Sequence, residues 1–565
     1  MMNRFVPLWA FAMLLGSHVV DAQEIRGTVR DSANAQPISG AVLLLLDSTG
    51  ATLGRNITNE RGVYRIAAHP AMRRMRVVRI GFRPASVDLP VIERIPSRIY
   101  QVDVAMAAIP TMLEPVRVTS GANCSRRDDR LAALSLLEQA RAGLLATIVA
   151  REANPANMIR LRYTQVMDGN SDKITKQSVV VDSSPEVKAS FQAVRSASDF
   201  VKLGFVIRDN LSGNLNYLGP DAETLLDDGF RDGYCFQLRD RDRNRPNQVG
   251  LAFMPAEEKR GRNDINGTLW IDTVARALHD IQFDFLGLDR TSMAAHPGGT
   301  IHFREMTNGM VIIDRWSFRI PSMQSETAWV AQRPLLRSRL GANESGGEVA
   351  TARWSDGTTW NASLGTLRVR LTTADGKPAA HTEILLDDTN YGGVSDSAGN
   401  VSIARLLPGP YSAHVADSVL APVGVTLNTT LKFTAARGEI IETTATVQTA
   451  ADHVKNLCLA AVKNATPDET GAWFVARLMR DGKPLARAEW RALKFEEVDW
   501  KPIPDAGGFS SSDGLLQYCG GALRNHDSVK LEVRASKSEP WGSITFVQSG
   551  RITPIPLEFP TGTQP

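Results

Sequence analysis

A mainly β chain is what this sequence predicts: three small transthyretin/Ig-like β-sandwich modules around a central α+β domain with a curved antiparallel sheet. Three observations predict it. Short alternating or continuous apolar runs, separated by Gly, Pro, Asn and Asp turn signals, recur along most of the 565 residues. One order of strands and turns occurs three times. The clearest helical spacing of apolar residues lies between residues 130 and 151. The length exceeds what one core organises and, at about 150 residues per domain, suggests three or four domains.

The N-terminus reads as a signal peptide. Arg4 supplies the positive charge, Phe5 to Leu15 form an uncharged apolar core, and Val20-Asp21-Ala22 suits a cleavage site. Cleavage after Ala22 would make Gln23 the mature terminus. The apolar run falls short of the roughly 20 residues that span a bilayer, and no cysteine follows the site. No later run reads as a span, so the expectation is an exported chain: periplasmic, outer-membrane-associated or secreted.

The first module, residues 23–120, reads strand by strand. Glu24 to Arg30 alternates, Gln36 to Gly40 is a turn, and Ala41 to Leu46 is an apolar, doubly buried strand. Asn59-Glu60-Arg61-Gly62 is a second turn before Val63 to Ile66, and Met75 to Ile80 ends at Gly81-Phe82. Strands at this spacing without intervening helices mean a small sandwich. Glycine serves turns that need positive φ, and Pro37 pre-sets the turn before the buried strand.

Four pieces in order, Gly27-Thr28-Val29, Pro37-Ile38-Ser39-Gly40-Ala41, Asn59-Glu60-Arg61-Gly62-Val63-Tyr64 and Arg79-Ile80-Gly81-Phe82, resemble the carboxypeptidase regulatory-like domain family. The resemblance covers residues 25–118 and implies a transthyretin-like seven-strand sandwich. It implies a fold and no activity.

Residues 121–326 change character. A helix is expected from Arg130 to Arg151, with Leu131, Leu134, Leu137, Ala140, Leu144 and Ile148 on its apolar face. Strands are expected at 157–166, 176–181, 250–254, 267–272, 277–286, 299–306 and 310–320. This order of helix and strands is similar to the half-barrel of outer-membrane lipoprotein carriers, which implies a curved sheet sheltering acyl chains. Residues 327–363 read as a polar linker.

The strand order returns at residues 364–447 and again at 452–560. Asp375-Gly376-Lys377-Pro378 and Asp481-Gly482-Lys483-Pro484 are nearly the same turn. Asp396-Ser397-Ala398-Gly399 and Ser512-Asp513-Gly514 each lead into a strand. The second module looks like a transthyretin-like or collagen-adhesin B-type sandwich.

The four cysteines, Cys124, Cys235, Cys458 and Cys519, suit disulfides in an exported chain. Three pairings are open. Cys124–Cys235 and Cys458–Cys519 are preferred because each then falls inside one module, the second tying an N-terminal edge to an inner strand.

Chemistry is sparse in the pattern. The 64 basic and 61 acidic residues leave a charge of +3, too little for a nucleic-acid face. No HExxH spacing supports a zinc peptidase, and the one HxxE, His302 to Glu305, has no second histidine at close motif spacing; no GxSxG, GxGxxG or phosphate loop occurs. Asp240-Arg241-Asp242-Arg243-Asn244 opens like a calcium loop, yet Arg245 and Leu251 occupy the positions where Gly and Glu are required. It reads as a solvated charged loop. Asp221, Glu223, Asp227, Asp228 and Asp232 read as a polar loop more than as paired catalytic carboxylates. Trp270, Trp316, Trp329, Trp354 and Trp360 are candidates to line a carbohydrate or lipid groove, with core packing as the plainer reading.

The expectation is therefore an exported, non-catalytic envelope scaffold or binding module, with no catalytic residues, no metal and no cofactor. Its expected partner is a protein or other envelope component, not nucleic acid. One alternative is a carrier of an apolar or acyl ligand, which requires a large cavity beneath the helix. The other is an unrecognised hydrolase.

Overall fold

The computed structural model describes residues 23–93, 95, 97–109, 127–168, 173–183, 190–209, 213–239, 242–257, 262–330, 333–416, 419–425, 430–448, 450–461 and 471–558. The chain divides into two compact units. One comprises residues 1–159, 183–322 and 346–360, the other 160–182, 323–345 and 361–565.

The first unit opens with β1 (Glu24–Asp31), β2 (Val42–Leu46), β3 (Thr52–Ile57), β4 (Val63–Ala67), β5 (Arg74–Val78), β6 (Ala85–Asp88), β7 (Ile99–Gln101) and β8 (Val104–Met106). One sheet has the order β4-β1-β7, with β8 also on β1, and the other β3-β2-β5-β6. Ile25, Val29, Leu43, Leu45, Tyr64, Met75 and Val77 fill the space between them. Residues of β1 alternate between buried and more exposed, as period-two patterning requires.

Next comes α1 (Arg127–Ala153). The chain then runs through β9 (Asn157–Met167) and β10 (Ile174–Asp182), most of which belongs to the second unit. It returns as α2 (Ala197–Leu203), β11 (Val206–Arg208), β12 (Leu215–Tyr217), α3 (Ala222–Leu226) and α4 (Asp228–Gly233). The central sheet follows: β13 (Tyr234–Leu238), β14 (Gln248–Pro255), β15 (Ile265–Asp272), β16 (Ala277–Phe285), then α5 (Arg290–Met293), β17 (Gly298–Glu305), β18 (Val311–Val330), β19 (Arg333–Arg353) and β20 (Thr359–Asn361). Strands β13 to β19 are neighbours in chain order, a meander. The expected linker at 327–363 is corrected here: β19 occupies most of it. Its polar and Gly/Ser composition hid a strand whose hydrogen bonds are supplied by sheet neighbours, which composition does not report.

Helix α1 is buried on more than one side. Leu137, Ala140, Leu144 and Ile148 are buried as expected, but so are Ala133, Leu136, Ala142, Ala146, Val149 and Ala150, while Leu134 is exposed. The helix lies between the outer face of the first sandwich and the central sheet, and its neighbours come from both: Val42, Ile57, Val78 and Ile80 on one side, Leu278, Phe283 and Ile313 on the other. A helix apolar around most of its circumference is a buried one. Residues Ala133–Ala153 have the length and apolarity of a membrane span, with 67% of the most apolar window buried inside the protein. This corrects the expectation that no later run is long enough, and the burial accounts for the apolar composition.

The motif Arg79-Ile80-Gly81-Phe82 forms the joint of this unit. Arg79 makes two hydrogen bonds to Glu305, at 2.9 and 2.8 Å, and reaches the carbonyls of Ser39 and Arg276. Ile80 packs against Gly143 of α1, where an added Cβ would lie 2.6 Å from its Cδ1. Gly81 donates its N–H to Gln139, and Phe82 lies under the Arg276 guanidinium.

The second unit holds two further sandwiches. One is β21 (Gly365–Thr373), β22 (Glu383–Leu386), β23 (Gly392–Val394), β24 (Asn400–Leu406), β25 (Gly409–Ala416), β26 (Thr430–Ala435) and β27 (Ile440–Val447). After α6 (Ala450–Ala461) comes the other: β28 (Trp473–Arg480), β29 (Lys483–Pro484), β30 (Glu489–Glu496), β31 (Asp499–Phe509), β32 (Leu515–Tyr518), β33 (Ser528–Arg534), β34 (Gly542–Val547) and β35 (Ile552–Glu558). Their sheets run β24-β21-β27 with β23-β22-β25-β26, and β32-β28-β35 with β31-β30-β33-β34. This is the order of the first sandwich. In all three, the first strand is antiparallel to one neighbour and parallel to the last strand.

The repeat extends to single hydrogen bonds. Thr58 Oγ1 donates to the Ile38 carbonyl at 2.7 Å and accepts from the Ala41 N–H at 2.8 Å. Ser395 does the same for Ala379 (2.6 Å) and Thr382 (2.9 Å), and Ser510 for Leu485 (2.7 Å) and Ala488 (2.9 Å). Four residues after each hydroxyl stands a glycine with positive φ, Gly62, Gly399 or Gly514. Its carbonyl accepts the N–H of Val29, Leu371 or Leu478. A buried hydroxyl thus closes the same turn in each sandwich.

Candidate functional site

Two irregularities in the central sheet gather a group of charged side chains around two buried carboxylates, Asp280 and Asp314. Along β16, Asp280 pairs with Trp270 and Leu278 with Ile271, so His279 is an extra, bulged residue. Along β18, Arg315 pairs with His302 and Ile313 with Phe303, so Asp314 is extra. A bulge shifts the alternation by one residue. Leu278 and Ile313 therefore join the core under α1, while Asp280 and Arg315 face the opposite way beside Trp270 and His302.

On that face stand two aspartate–histidine pairs. His302 Nδ1 donates to Asp314 Oδ1, and His279 Nδ1 donates to Asp280 Oδ2 at 2.8 Å. The imidazole centres are 4.9 Å apart, with the rings nearly perpendicular at 80°. Each carboxylate has an arginine. Arg304 Nε donates to Asp314 at 2.7 Å, and Arg245 Nη1 to Asp280 at 2.9 Å. Each arginine lies over an indole, Arg245 over Trp270 at 4.5 Å and Arg304 over Trp360 at 5.3 Å. Asp314 is 1% and Asp280 4% exposed. Burial alone would raise both carboxyl pKa values. The hydrogen bonds and charges of His302 and Arg304 outweigh it for Asp314, as those of His279 and Arg245 do for Asp280, and both carboxyls are lowered. A carboxylate acceptor at Nδ1 fixes the orientation of each ring.

Two signals of this group were legible in the sequence, the dipeptide His279-Asp280 and the HxxE spacing of His302 and Glu305. The partnership of His302 with Asp314 and the reach of Arg245 depend on strand register. The loop resembling a calcium site is the source of Arg245. Asp240 and Arg241 lie outside the described residues, while Asp242 accepts the Asn244 N–H at 2.8 Å and sets the turn.

The other candidates disperse. Trp316 and Trp354 are buried in the central core; Trp316 lies against Gly347, where a Cβ would come within 2.2 Å of its ring. Trp270 and Trp360 hold the arginines, and the side chain of Trp329 is outside the described residues. The four described side chains do not line one groove. The acidic cluster is corrected from loop to two short helices. Asp221 and Asp227 cap α3 and α4 by accepting N–H groups of Thr224 and Gly229, and Glu223 and Asp228 pair with Arg151 and Arg231. Capping consumes the carboxylates that a glycosidase would need free.

Cys458 and Cys519 are joined, their Cα atoms 6.3 Å apart. Cys458 sits on α6 and not on an edge strand, so the bridge ties a helix to the end of β32. Cys235, buried on β13, is disulfide-bonded; its expected partner Cys124 lies outside the described residues. Ala22 also lies outside them, and Gln23 donates to the carbonyls of Glu93 and Ile95. Beneath α1, the cavity lined by Ile148, Met158, Phe191, Ile313 and Trp354 measures about 40 Å³. That is room for one or two water molecules, whereas a more open pocket along α1, lined by Leu44, Val78, Arg141, Leu145 and Leu226, measures about 520 Å³. Among the described residues, no group of three or more His, Cys, Asp or Glu side chains is arranged around a metal position.

No family model matches the chain, and no curated protein sequence does. Among solved structures it is similar to a streptococcal ancillary pilin, at 9% identity over 46% of this chain and 80% of that one, TM-score 0.16. The minor pilin of Streptococcus agalactiae matches at 12% identity over 36% and 98%, TM-score 0.14. The Bacillus anthracis TIE protein matches at 10% identity over 71% and 83%, TM-score 0.13.

Proposed function

We propose that this protein is an exported, non-catalytic component of the bacterial envelope, acting as a scaffold or binding module through its β-sandwich domains. The observation that carries the reading is the threefold repeat. Thr58, Ser395 and Ser510 close the same turn, while the residues facing outward differ from sandwich to sandwich. A framework kept constant beneath changing surfaces is the design of a protein that presents interaction sites. The edge strands β23, β26, β31 and β34 offer unpaired backbone groups for β-augmentation by a protein partner. We further place the first sandwich in the carboxypeptidase regulatory-like family. Its four sequence pieces coincide with the turn closed by Thr58, the Gly62 position, strand β1 and the Arg79 joint.

Cross-linking in the native host envelope, followed by mass spectrometry, tests the reading. Reproducible protein neighbours at sandwich surfaces are expected, together with a mature chain beginning at Gln23. A chain retained in the cytosol from Met1, or one cross-linked to no protein, would overturn it.

A further inference from the structure

The geometry points to a two-histidine transition-metal site, made by His279 and His302 on the charged face of the central sheet. Both imidazoles have Nδ1 committed to a buried carboxylate, and each carboxylate is held in turn by an arginine. This is the outer-shell arrangement that orients histidine ligands in metalloproteins, with ring direction set before the metal arrives. Here it occurs twice on adjacent strands, and both copies sit at bulges. The spacing fits. With a metal–nitrogen distance of about 2.1 Å and a ring centre about 1.1 Å behind the nitrogen, two imidazoles on one tetrahedral or square-planar ion have centres about 4.5–5.2 Å apart. The observed separation is 4.9 Å.

The donor set selects the class of ion. Arg245 and Arg304 offset the charges of Asp280 and Asp314, so the site offers imidazole nitrogen and no free carboxylate. Imidazole nitrogen suits Cu²⁺, Zn²⁺ and Ni²⁺, whereas Ca²⁺ and Mg²⁺ prefer oxygen. Two protein ligands leave the other positions to water. Trp270, in the same group, carries a buried indole N–H without a hydrogen-bond partner, a donor suited to a water ligand.

Titration of the full mature protein with Cu²⁺, by calorimetry and electron paramagnetic resonance, tests the site. One ion per chain with two nitrogen ligands is expected, bound at least tenfold more weakly by His279→Gln and by the double variant His279→Gln/His302→Gln. Asp314→Asn, which loosens His302, should weaken it by about tenfold. His279 is partly exposed, so His279→Gln should fold even where substitution of His302 does not. A measurement without substitution runs in parallel: Zn²⁺ should shield both histidines from diethyl pyrocarbonate, read by peptide mass, while Ca²⁺ should not. Unchanged affinity in folded His279→Gln, or equal modification with and without Zn²⁺, would overturn the assignment.

Discussion

A methyl group on Gly399 would lie 2.3 Å from the carbonyl oxygen of Leu371, the oxygen that accepts the Ala379 N–H at 3.0 Å. Gly62 stands in the same relation to Val29, and Gly514 to Leu478, at 2.6 and 2.4 Å. Each has φ between +67° and +79°. Substitution by alanine at any of the three meets both backbone strain and a collision with backbone that cannot move aside. Gly399→Ala should cost about 2–4 kcal/mol. Gly376→Ala is the control: its φ is +78° but nothing lies within 4 Å, so only the strain of about 1 kcal/mol applies. Denaturant unfolding of the two variants checks the difference.

The buried hydroxyls make a separate prediction. Thr58→Val keeps the shape but leaves the Ile38 carbonyl and the Ala41 N–H unpaired in a fully buried turn. A loss of about 2–4 kcal/mol is expected. Thr58→Ser keeps both bonds and loses only a methyl, about 1 kcal/mol. Hydrogen exchange at Ala41 should accelerate in the valine variant and stay slow in the serine variant.

Burial raises the Glu305 pKa above its ordinary value, against the opposing pull of the Arg79 charge and hydrogen bonds. A raised carboxyl stabilises the fold fully below its unfolded pKa, about 4.3, and that contribution is lost as pH rises through the folded value. Arg79→Met removes the cation and should cost about 2–4 kcal/mol at pH 7, where it strands a carboxylate. The cost should shrink as pH falls and Glu305 takes up a proton. Thermal melts of wild type and variant across pH 4–8 give the test; a cost independent of pH would rule out the carboxylate as its source.

The Cys458–Cys519 bridge closes a loop with a sequence separation of 61, which the chain-entropy model values at about 4 kcal/mol. Cys458→Ser, or reduction of the wild type, should lower the unfolding midpoint of the third sandwich. Exchange protection over 450–461 should fall first, because the bridge anchors α6 to the end of β32.

Much of the fold was legible. The strands expected in the central sheet start within two residues of the observed ones, because period-two alternation and turn residues act locally, while β13 (Tyr234–Leu238) was not expected. The expected end of β18 fell short, and β19 was read as linker, because a long polar hairpin takes its order from neighbouring strands. Helices α3 and α4 were also missed, although Asp221 and Thr224 spell a cap, because acidic residues in short spans suit loops equally well. The pairing of the two histidines was not legible. His302 and Asp314 are twelve residues apart in sequence, and only a bulge in one strand sets them side by side.

By itself the sequence determined the β character, the threefold module order and the helix, since turns, alternation and apolar runs are properties of neighbouring residues. Tertiary structure alone decided that α1 is enclosed by two layers, that Thr58, Ser395 and Ser510 do one job, and that two aspartates orient two histidines on one face. Those outcomes depend on which strands pair and in what register, and pairing energy is spread over contacts between residues far apart in the chain.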